Sequence, residues 1–204
     1  MRIKRLLESL AAKPPGPQPT FQSLQFLEAL LTIGREAPIG RKRLSEKLGL
    51  GEGAVRTLLQ RLKAESLIEV IGRGGCVLSE KGRALISELE GKLRDIGSTT
   101  LKLPWSHPEN YAIIVRGAAH LVRRGLEQRD EAIKAGAKAL LVLTYVDGRL
   151  LMPGISDITS EKPDFALQLI EELKPESGDV ILIAGASHPI EAKRGALAAA
   201  QTLL

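Results

Sequence analysis

The stretch from Leu44 to Leu58 constrains the fold of this chain more than any other. Its spacing predicts the end of one helix and the start of another, with Gly49 in the turn between them. Two helices cross closely only when this turn contains a residue with positive φ, and glycine adopts that conformation without steric cost. We therefore expect a tightly crossed pair of helices. The apolar residues available for its buried corner are Leu44, Leu48, Leu50, Val55 and Leu58.

The residues on either side extend this pair into a larger unit. Apolar positions at helical spacing predict a helix on each side of the turn and one before them. Two short β-rich runs around a glycine-rich turn predict a hairpin, and Ser79 is the expected N-cap of a last helix. The elements expected over residues 21–95 are Phe21–Ile33, Arg41–Leu48, Gly51–Ala64, Leu67–Ile71, Cys76–Ser79 and Glu80–Arg94.

The pattern changes at both ends of this unit. Residues 1–20 are expected to form a short basic helix, Ile3–Ala12, and a linker whose prolines stop the helix. After Pro104, β-branched apolar runs alternate with helical ones, which predicts an α/β domain of about four strands and three helices over residues 104–204. The elements expected there are Tyr111–Val115, Ala119–Ala135, Ala139–Val146, Arg149–Met152, Pro163–Leu173, Asp179–Ala184 and Pro189–Leu204.

Charge is distributed unevenly along the chain. The net charge is +5, yet the first 95 residues carry +6 and the remainder carries −1. A basic first half points to a polyanionic partner, although a basic surface that meets only solvent has the same signature. The hydrophobic fraction of 44% and the charged fraction of 26% are typical of globular proteins. With a single cysteine, no signal peptide and no membrane span in the sequence, we expect a cytoplasmic protein.

Residues 21–95 resemble the winged helix-turn-helix domain of transcription factors. The resemblance rests on the Leu44–Leu58 turn, on the hairpin after the third helix and on its glycine-rich tip with Arg73. In that family the third helix enters the major groove of double-stranded DNA, and the hairpin, or wing, contacts the backbone or the minor groove. The implied fold class is an α+β winged helix-turn-helix domain followed by the α/β domain. Helical hairpins with a glycine turn also occur in bundles that bind nothing.

The same resemblance implies which side chains would meet DNA. Arg56 has the geometry to pair with a guanine edge, and Gln60 with an adenine. The basic residues at the start of the second helix and Arg73 on the wing would contact phosphates. The candidate DNA-binding residues are Arg41, Lys42, Arg43, Glu52, Arg56, Thr57, Gln60, Arg61 and Arg73.

A ligand site is expected in the second domain, at a crevice between strand ends. Arg116 follows one expected strand and Ser187 follows another, just before a helix whose free backbone N–H groups would attract an anion. A solvated helix face accounts for most of the charged residues nearby equally well. The candidate ligand-binding residues are Arg116, His120, Arg123, Glu127, Arg129, Asp130, Ser187 and His188.

No catalytic signature is present in the sequence. The chain has no G-x-G-x-x-G, no P-loop and no G-x-S-x-G, and its three histidines are far apart. We therefore assign no catalytic residue, no metal site and no cofactor, with a small anionic effector as the expected ligand.

The whole chain resembles a group of archaeal winged-helix transcriptional regulators whose C-terminal domain has no assigned function. Besides the winged helix, the resemblance rests on Arg116–His120, on Gly125–Ala137 and on the Asp147–Gly148 turn. It implies a DNA-binding transcriptional regulator. Because two-fold operators match two-fold proteins, our first hypothesis is a homodimer whose α/β domain senses a small metabolite or forms the dimer. Two alternatives stay open: a DNA-tethered enzyme with its site in the second domain, and an adaptor whose second domain only forms oligomers.

Overall fold

The computed structural model describes residues 2–12, 21–72 and 75–204, and the chain divides into two compact units. The first comprises Met1–Glu90 and the second Gly91–Leu204. We had expected the second domain to begin at residue 104, whereas residues 91–103 belong with the second unit. No helix among the described residues is both long enough and apolar enough to cross a membrane.

The described part of the first unit contains helices and one antiparallel hairpin, in the order that the sequence predicts. The helices α1, α2 and α3 are followed by α4, by the β1–β2 hairpin and by α5. Their bounds are α1 Arg2–Ala11, α2 Ser23–Glu36, α3 Arg41–Leu48, α4 Glu52–Ala64, β1 Ile68–Ile71, β2 Gly75–Leu78 and α5 Glu80–Lys92.

The turn between α3 and α4 has the conformation that Gly49 predicts. Gly49 ends α3 with φ 57° and ψ 33°, in the left-handed region, and its N–H donates to the last turn of α3. The hydroxyl of Ser45 donates to the carbonyl of Leu50 across the same turn. Four of the five expected corner residues are buried, and Leu50 is half-buried. The crossed pair is therefore confirmed.

The hairpin is held by the segment between α2 and α3. Ile39 exchanges two backbone hydrogen bonds with Cys76 of β2, at 3.1 and 2.9 Å. A Cβ atom at Gly75 would lie 2.4 Å from the carbonyl oxygen of Ile39, so only glycine allows this approach. Ser79 is confirmed as the cap of α5, because its hydroxyl accepts from the N–H of Gly82 at 3.0 Å.

The second unit contains a six-stranded sheet in the order β3-β4-β8-β5-β6-β7, and every pair of neighbouring strands is antiparallel. A 3-10 helix lies between β4 and α6. The bounds are β3 Leu93–Ser98, β4 Glu109–Val115, 3-10 helix Ala119–Leu121, α6 Leu126–Lys134, β5 Ala139–Val146, β6 Arg149–Met152, β7 Ser156–Asp157, α7 Ile158–Glu161, α8 Pro163–Leu173, β8 Asp179–Ala186 and α9 Pro189–Gln201.

This sheet corrects the expected α/β domain of about four strands and three helices. The additional strands are β3, which was expected to be helix end and linker, and the short β7. The expected helix Ala119–Ala135 is also wrong, because Gly125, at φ 72°, starts α6 only after the 3-10 helix and a bend. A Cβ at Gly125 would lie 3.0 Å from the Val142 side chain, so this glycine allows the chain to pass close to β5.

Helices cover both faces of the sheet. On one face, Leu143 of β5 and Ile183 of β8 share an apolar core with Leu169 of α8. On the other face α9 packs so closely that a Cβ at Gly195 would lie 3.3 Å from the Cβ of Ala184 in β8 and 2.5 Å from that of Ala137, before β5. Since side chains alternate along a strand, the two faces have separate residues and separate cores.

Candidate functional site

The exposed face of α4 carries a row of polar side chains. Arg56 and Gln60 are exposed, and so is Lys63 at the spacing i, i+4 and i+7 that places residues on one face of a helix. The opposite face is buried through Val55 and Leu58. Among the described residues, no ion pair or side-chain hydrogen bond involves Arg56 or Gln60. We had not assigned Lys63 from the sequence, although the same helical spacing identifies it.

Arg61 has a structural role that the sequence analysis missed. Its guanidinium donates to the carbonyl of Leu10 at 2.8 Å and to that of Ala12 at 3.3 Å, and it lies 5.4 Å from the ring centre of Phe21. These carbonyls belong to the C-terminal end of α1, where a cation is favoured by the helix dipole. One residue turns a helix by about 100°. Arg61 therefore points toward α1 rather than along the row that contains Gln60.

We predict that Arg61→Ala loosens α1. The substitution removes two hydrogen bonds to the end of that helix, and we expect a loss of about 1–2 kcal/mol in its local stability. Amide hydrogen exchange should then accelerate in α1 while the amides of Leu58 and Leu62 keep their protection. Arg61→Lys keeps the charge without the forked geometry and should give an intermediate rate. Unchanged exchange in α1 would show that Arg61 does not hold this helix.

The other candidate residues of the first unit differ in the exposure of their side chains and in the contacts that these side chains make. Lys42 is exposed at the start of α3. Arg41 lies 3.4 Å from the carboxylate of Glu52, and both side chains are about half exposed, so this pair contributes little to stability. The hydroxyl of Thr57 donates to the carbonyl of Gly53 one turn earlier. Arg73 lies outside the described residues.

Arg43 belongs to a small ion-pair cluster. Glu36 accepts from Arg43 at 2.9 Å and from Lys47 at 2.7 Å. The hydrogen bond from Lys47 contributes most to lowering the pKa of Glu36 below its usual value, and the charge of Arg43 adds to this effect. Because all three side chains meet solvent, the cluster orients the end of α2 against α3 without adding much stability.

The structure does not bring the expected ligand-site residues of the second unit together. Arg116 follows β4 and Ser187 follows β8, and these strands are antiparallel neighbours in which Val115 pairs with Val180 and Glu109 with Ala186. The C-terminal ends of the two strands therefore lie at opposite ends of this strand pair. They are about 20 Å apart at the rise of an extended strand. The expected crevice between strand ends required parallel strands, and it is absent from the second unit as described here.

The charged candidates around α6 lie on its outer surface, where Arg123, Glu127, Arg129 and Asp130 are all exposed. Arg129 pairs with its neighbour Asp130 at 3.1 Å. His188 is exposed at the start of α9, far along the sheet from Arg116. His120 lines a cavity of the second unit, and the other seven candidates are not part of the lining of that cavity.

That cavity has a volume of about 630 Å³ and lies beside β5 and β6. It is lined by Thr144 and Val146 of β5, which alternate with Leu143 and Tyr145 of the core that faces α8. The cavity is therefore on the face of the sheet away from α8. Its volume falls within the roughly 300–1,000 Å³ of small-molecule sites.

Asp179 fixes the backbone along one side of this cavity. Its buried carboxylate accepts from the N–H of Gly117 at 3.1 Å and from the N–H of Glu176 at 2.9 Å. Gly178 donates to the carbonyl of Tyr145 at 2.8 Å, and its own carbonyl accepts from Ala119 at 2.8 Å. Gly117 and Gly178, which both line the cavity, are thus held in place before any ligand arrives.

Comparisons with known proteins match both units. Residues 28–84 match the family described as PH0730-like, N-terminal domain, and residues 107–203 match a domain of unknown function, DUF4443. The structure of hypothetical protein PH0730 from Pyrococcus horikoshii OT3 is similar with a TM-score of 0.65 and 28% sequence identity, over 90% of this chain and 92% of that one. This likeness extends over both units.

Two curated relatives are named as gene regulators. The central glycolytic genes regulator of Bacillus subtilis (strain 168) is 38% identical over 84 residues, which are 41% of this chain and 23% of that protein. The same-named protein of Priestia megaterium (strain DSM 319 / IMG 1521) is 31% identical over 105 residues, 49% of this chain and 28% of that protein. The chain spans about a quarter of the length of these relatives.

Proposed function

We propose that this protein is a DNA-binding regulator of transcription whose first unit is a winged helix-turn-helix. The observation that carries the proposal is the exposed row Arg56, Gln60 and Lys63 on α4, the second helix of the crossed pair. The glycine turn before α4 and the β1–β2 hairpin after it match the order of a recognition helix and a wing. The named function of the two curated relatives supports the same role.

In this proposal α4 lies in the major groove. Arg56 makes a forked contact with a guanine edge, and Gln60 pairs with an adenine. Lys63, near the end of α4, and Lys42, at the start of α3, contact phosphates on either side of the groove. Arg61 is excluded from base contact, since its guanidinium already holds the end of α1.

The test compares the DNA affinity of two variants, each of which lacks one arginine: Arg56 of the first unit or Arg129 of the second. Sites enriched from fragmented genomic DNA by the purified protein provide the specific duplex, and a shuffled duplex provides the reference. We expect Arg56→Ala to weaken binding to the specific duplex by about 10–100-fold, which corresponds to one lost base contact of about 1–3 kcal/mol. Binding to the shuffled duplex should weaken much less. Fluorescence anisotropy at several salt concentrations measures both.

Arg129→Ala is the matched control, because it removes the same charge from an exposed position on α6. It should leave both affinities unchanged. If Arg56→Ala weakens both duplexes equally, Arg56 contacts phosphate rather than a base. Failure of the wild-type chain to bind any duplex, or binding that does not depend on salt, would refute the proposal.

We further propose that the second unit couples DNA binding to a small molecule in a cytoplasmic homodimer. The cavity of about 630 Å³ supports a sensing role over that of an adaptor, for which a flat apolar surface would be expected. The dimer is proposed from the general match between two-fold operators and two-fold proteins. Sedimentation with and without the specific duplex tests it.

A further inference from the structure

The lining of the cavity beside β5 and β6 is mostly apolar. Most of its side chains are apolar, among them Val122, Leu151, Met152 and Ile155. Of the described residues that line it, none is lysine, arginine, aspartate or glutamate. Arg123 and Arg129 are exposed around α6, whereas the side chain of Arg124 packs beside Gly154, which is part of the lining. The residues of the lining therefore offer apolar contact area and include no lysine or arginine with which an anion would pair.

Thr144 is the most buried polar side chain in the lining of this cavity. It is only 6% exposed, and no side-chain hydrogen bond joins it to any residue that the structure describes. Its hydroxyl is not one of the fully buried, unpaired polar atoms of the described residues, so it keeps accessible surface and can form a hydrogen bond with a ligand group in the cavity. Ser156 and the exposed His120 are the other polar side chains of the lining.

We propose that this cavity binds a compact, uncharged ring compound, with one hydrogen-bonding group directed at Thr144. A ligand of this kind fits a mostly apolar site with a few polar groups. An anion that entered it would lose hydration against a lining that contains no lysine or arginine, which is unfavourable. The inference replaces the small anionic effector that the sequence led us to expect. It rests on the proposed function only for the effect of the ligand on DNA binding.

Two dyes that share one ring system test the ligand class. N-phenyl-1-naphthylamine is uncharged, and 8-anilinonaphthalene-1-sulfonate adds a sulfonate to the same rings. We expect the uncharged dye to bind at a single saturable site, with fluorescence enhancement, at least about tenfold more tightly than the sulfonate. Equal or tighter binding of the sulfonate would overturn the uncharged class. Because the titrations contain no DNA, their outcome does not depend on the proposed DNA binding.

Three variants locate the site. Val146→Phe fills the cavity and should weaken binding of the uncharged dye by about tenfold or more. Thr144→Val removes the hydroxyl at nearly constant volume and should weaken it about fivefold. Leu167→Phe adds the same kind of ring at an exposed position of α8, outside the cavity. It should leave the affinity for the uncharged dye unchanged. Circular dichroism establishes that each variant folds.

Amide chemical shifts provide a measurement that does not depend on a filling variant. Gly117, Gly154 and Gly178 all line the cavity, and glycine amides resonate in an uncrowded region of the spectrum. The uncharged dye should shift these three signals and leave Gly91 unchanged. Dye binding that spares the three glycines, or that survives Val146→Phe unchanged in a folded protein, would overturn the site.

The regulatory consequence is measured separately. The uncharged dye is added to the complex of wild-type protein and specific duplex, and the affinity for DNA is determined again. A changed affinity that Val146→Phe abolishes links the cavity to regulation. An unchanged affinity, with dye bound, would refute the coupling and leave the ligand site standing.

Discussion

Replacing Gly82 with alanine is expected to lower the free energy of unfolding of the first unit by about 3 kcal/mol. A Cβ atom at this position would lie 2.0 Å from the carbonyl oxygen of Leu67, far inside van der Waals contact. That oxygen belongs to the backbone and accepts from the N–H of Ser79 at 3.1 Å, so it has no freedom to move aside. Separating α5 from Leu67 would break this hydrogen bond.

Thermal unfolding measures the effect. At roughly 4–8 °C for each kcal/mol in a domain of this size, the midpoint of the first unit should fall by more than about 10 °C. Gly91→Ala is the matched control in the same helix, because a Cβ there meets no described atom within 4 Å. It should stabilise the helix by about 0.5–1 kcal/mol. Equal midpoints for the two variants would contradict the close approach of α5 to Leu67.

The crossed helices of the first unit could be predicted because their cause is local. Gly49 alone sets the turn, and the apolar residues that fill the corner lie within two turns of helix on either side. The cap at Ser79 is local for the same reason, since its hydroxyl accepts from an N–H only three residues ahead. Short-range spacing is enough to identify such features.

The role of Arg61 could not be predicted, because its partner is remote. On sequence grounds Arg61 and Arg56 are equivalent basic residues of one helix. What separates them is α1, whose last carbonyl groups lie about 50 residues earlier in the chain. Helical spacing indicates which residues share a face, but it does not indicate which face another helix covers.

The strand pairing in the sheet of the second unit also depends on residues that are remote in the sequence. The alternation of strands and helices predicted an α/β domain, with a crevice at strand ends that joined Arg116 to Ser187. In the structure β8 pairs antiparallel with both β4 and β5, and this arrangement separates the two residues. The strand β3 escaped detection because its glycine and charged residues lack strand propensity, and pairing with β4 overrides that preference.

One residue of the cavity lining is conspicuous in the sequence. Thr144 interrupts the apolar run of β5, and a hydroxyl on a buried position of a strand requires either a hydrogen-bond partner or access to a cavity. The residues that complete the lining come from β6 and β7 with the turn between them, from the 3-10 helix and the residues beside it, and from the loop before β8. Their meeting depends on strand order, which spacing alone does not determine.

Asp179→Asn is expected to destabilise the second unit by about 2 kcal/mol and to weaken dye binding in the cavity. The two carboxylate oxygens accept from Gly117 and from Glu176, one each, in a buried position. An amide has one oxygen, so its NH2 group would face one of these N–H donors and leave it without an acceptor. The loops that carry Gly117 and Gly178 would then be free to move, and the cavity would lose its shape before a ligand binds.

Asp147→Asn makes the same chemical change at another position, where we expect no loss of stability. Asp147 has φ 50° and precedes Gly148 at φ 78°, in the two-residue turn between β5 and β6. Asparagine is favoured before glycine in such turns, so this variant should be as stable as the wild type or slightly more stable. Thermal unfolding and dye titration of both variants separate the two positions. If Asp179→Asn kept wild-type stability and dye affinity, the carboxylate would not be what holds the cavity open, and the hydrogen bonds of Gly178 to Tyr145 and Ala119 would have to suffice.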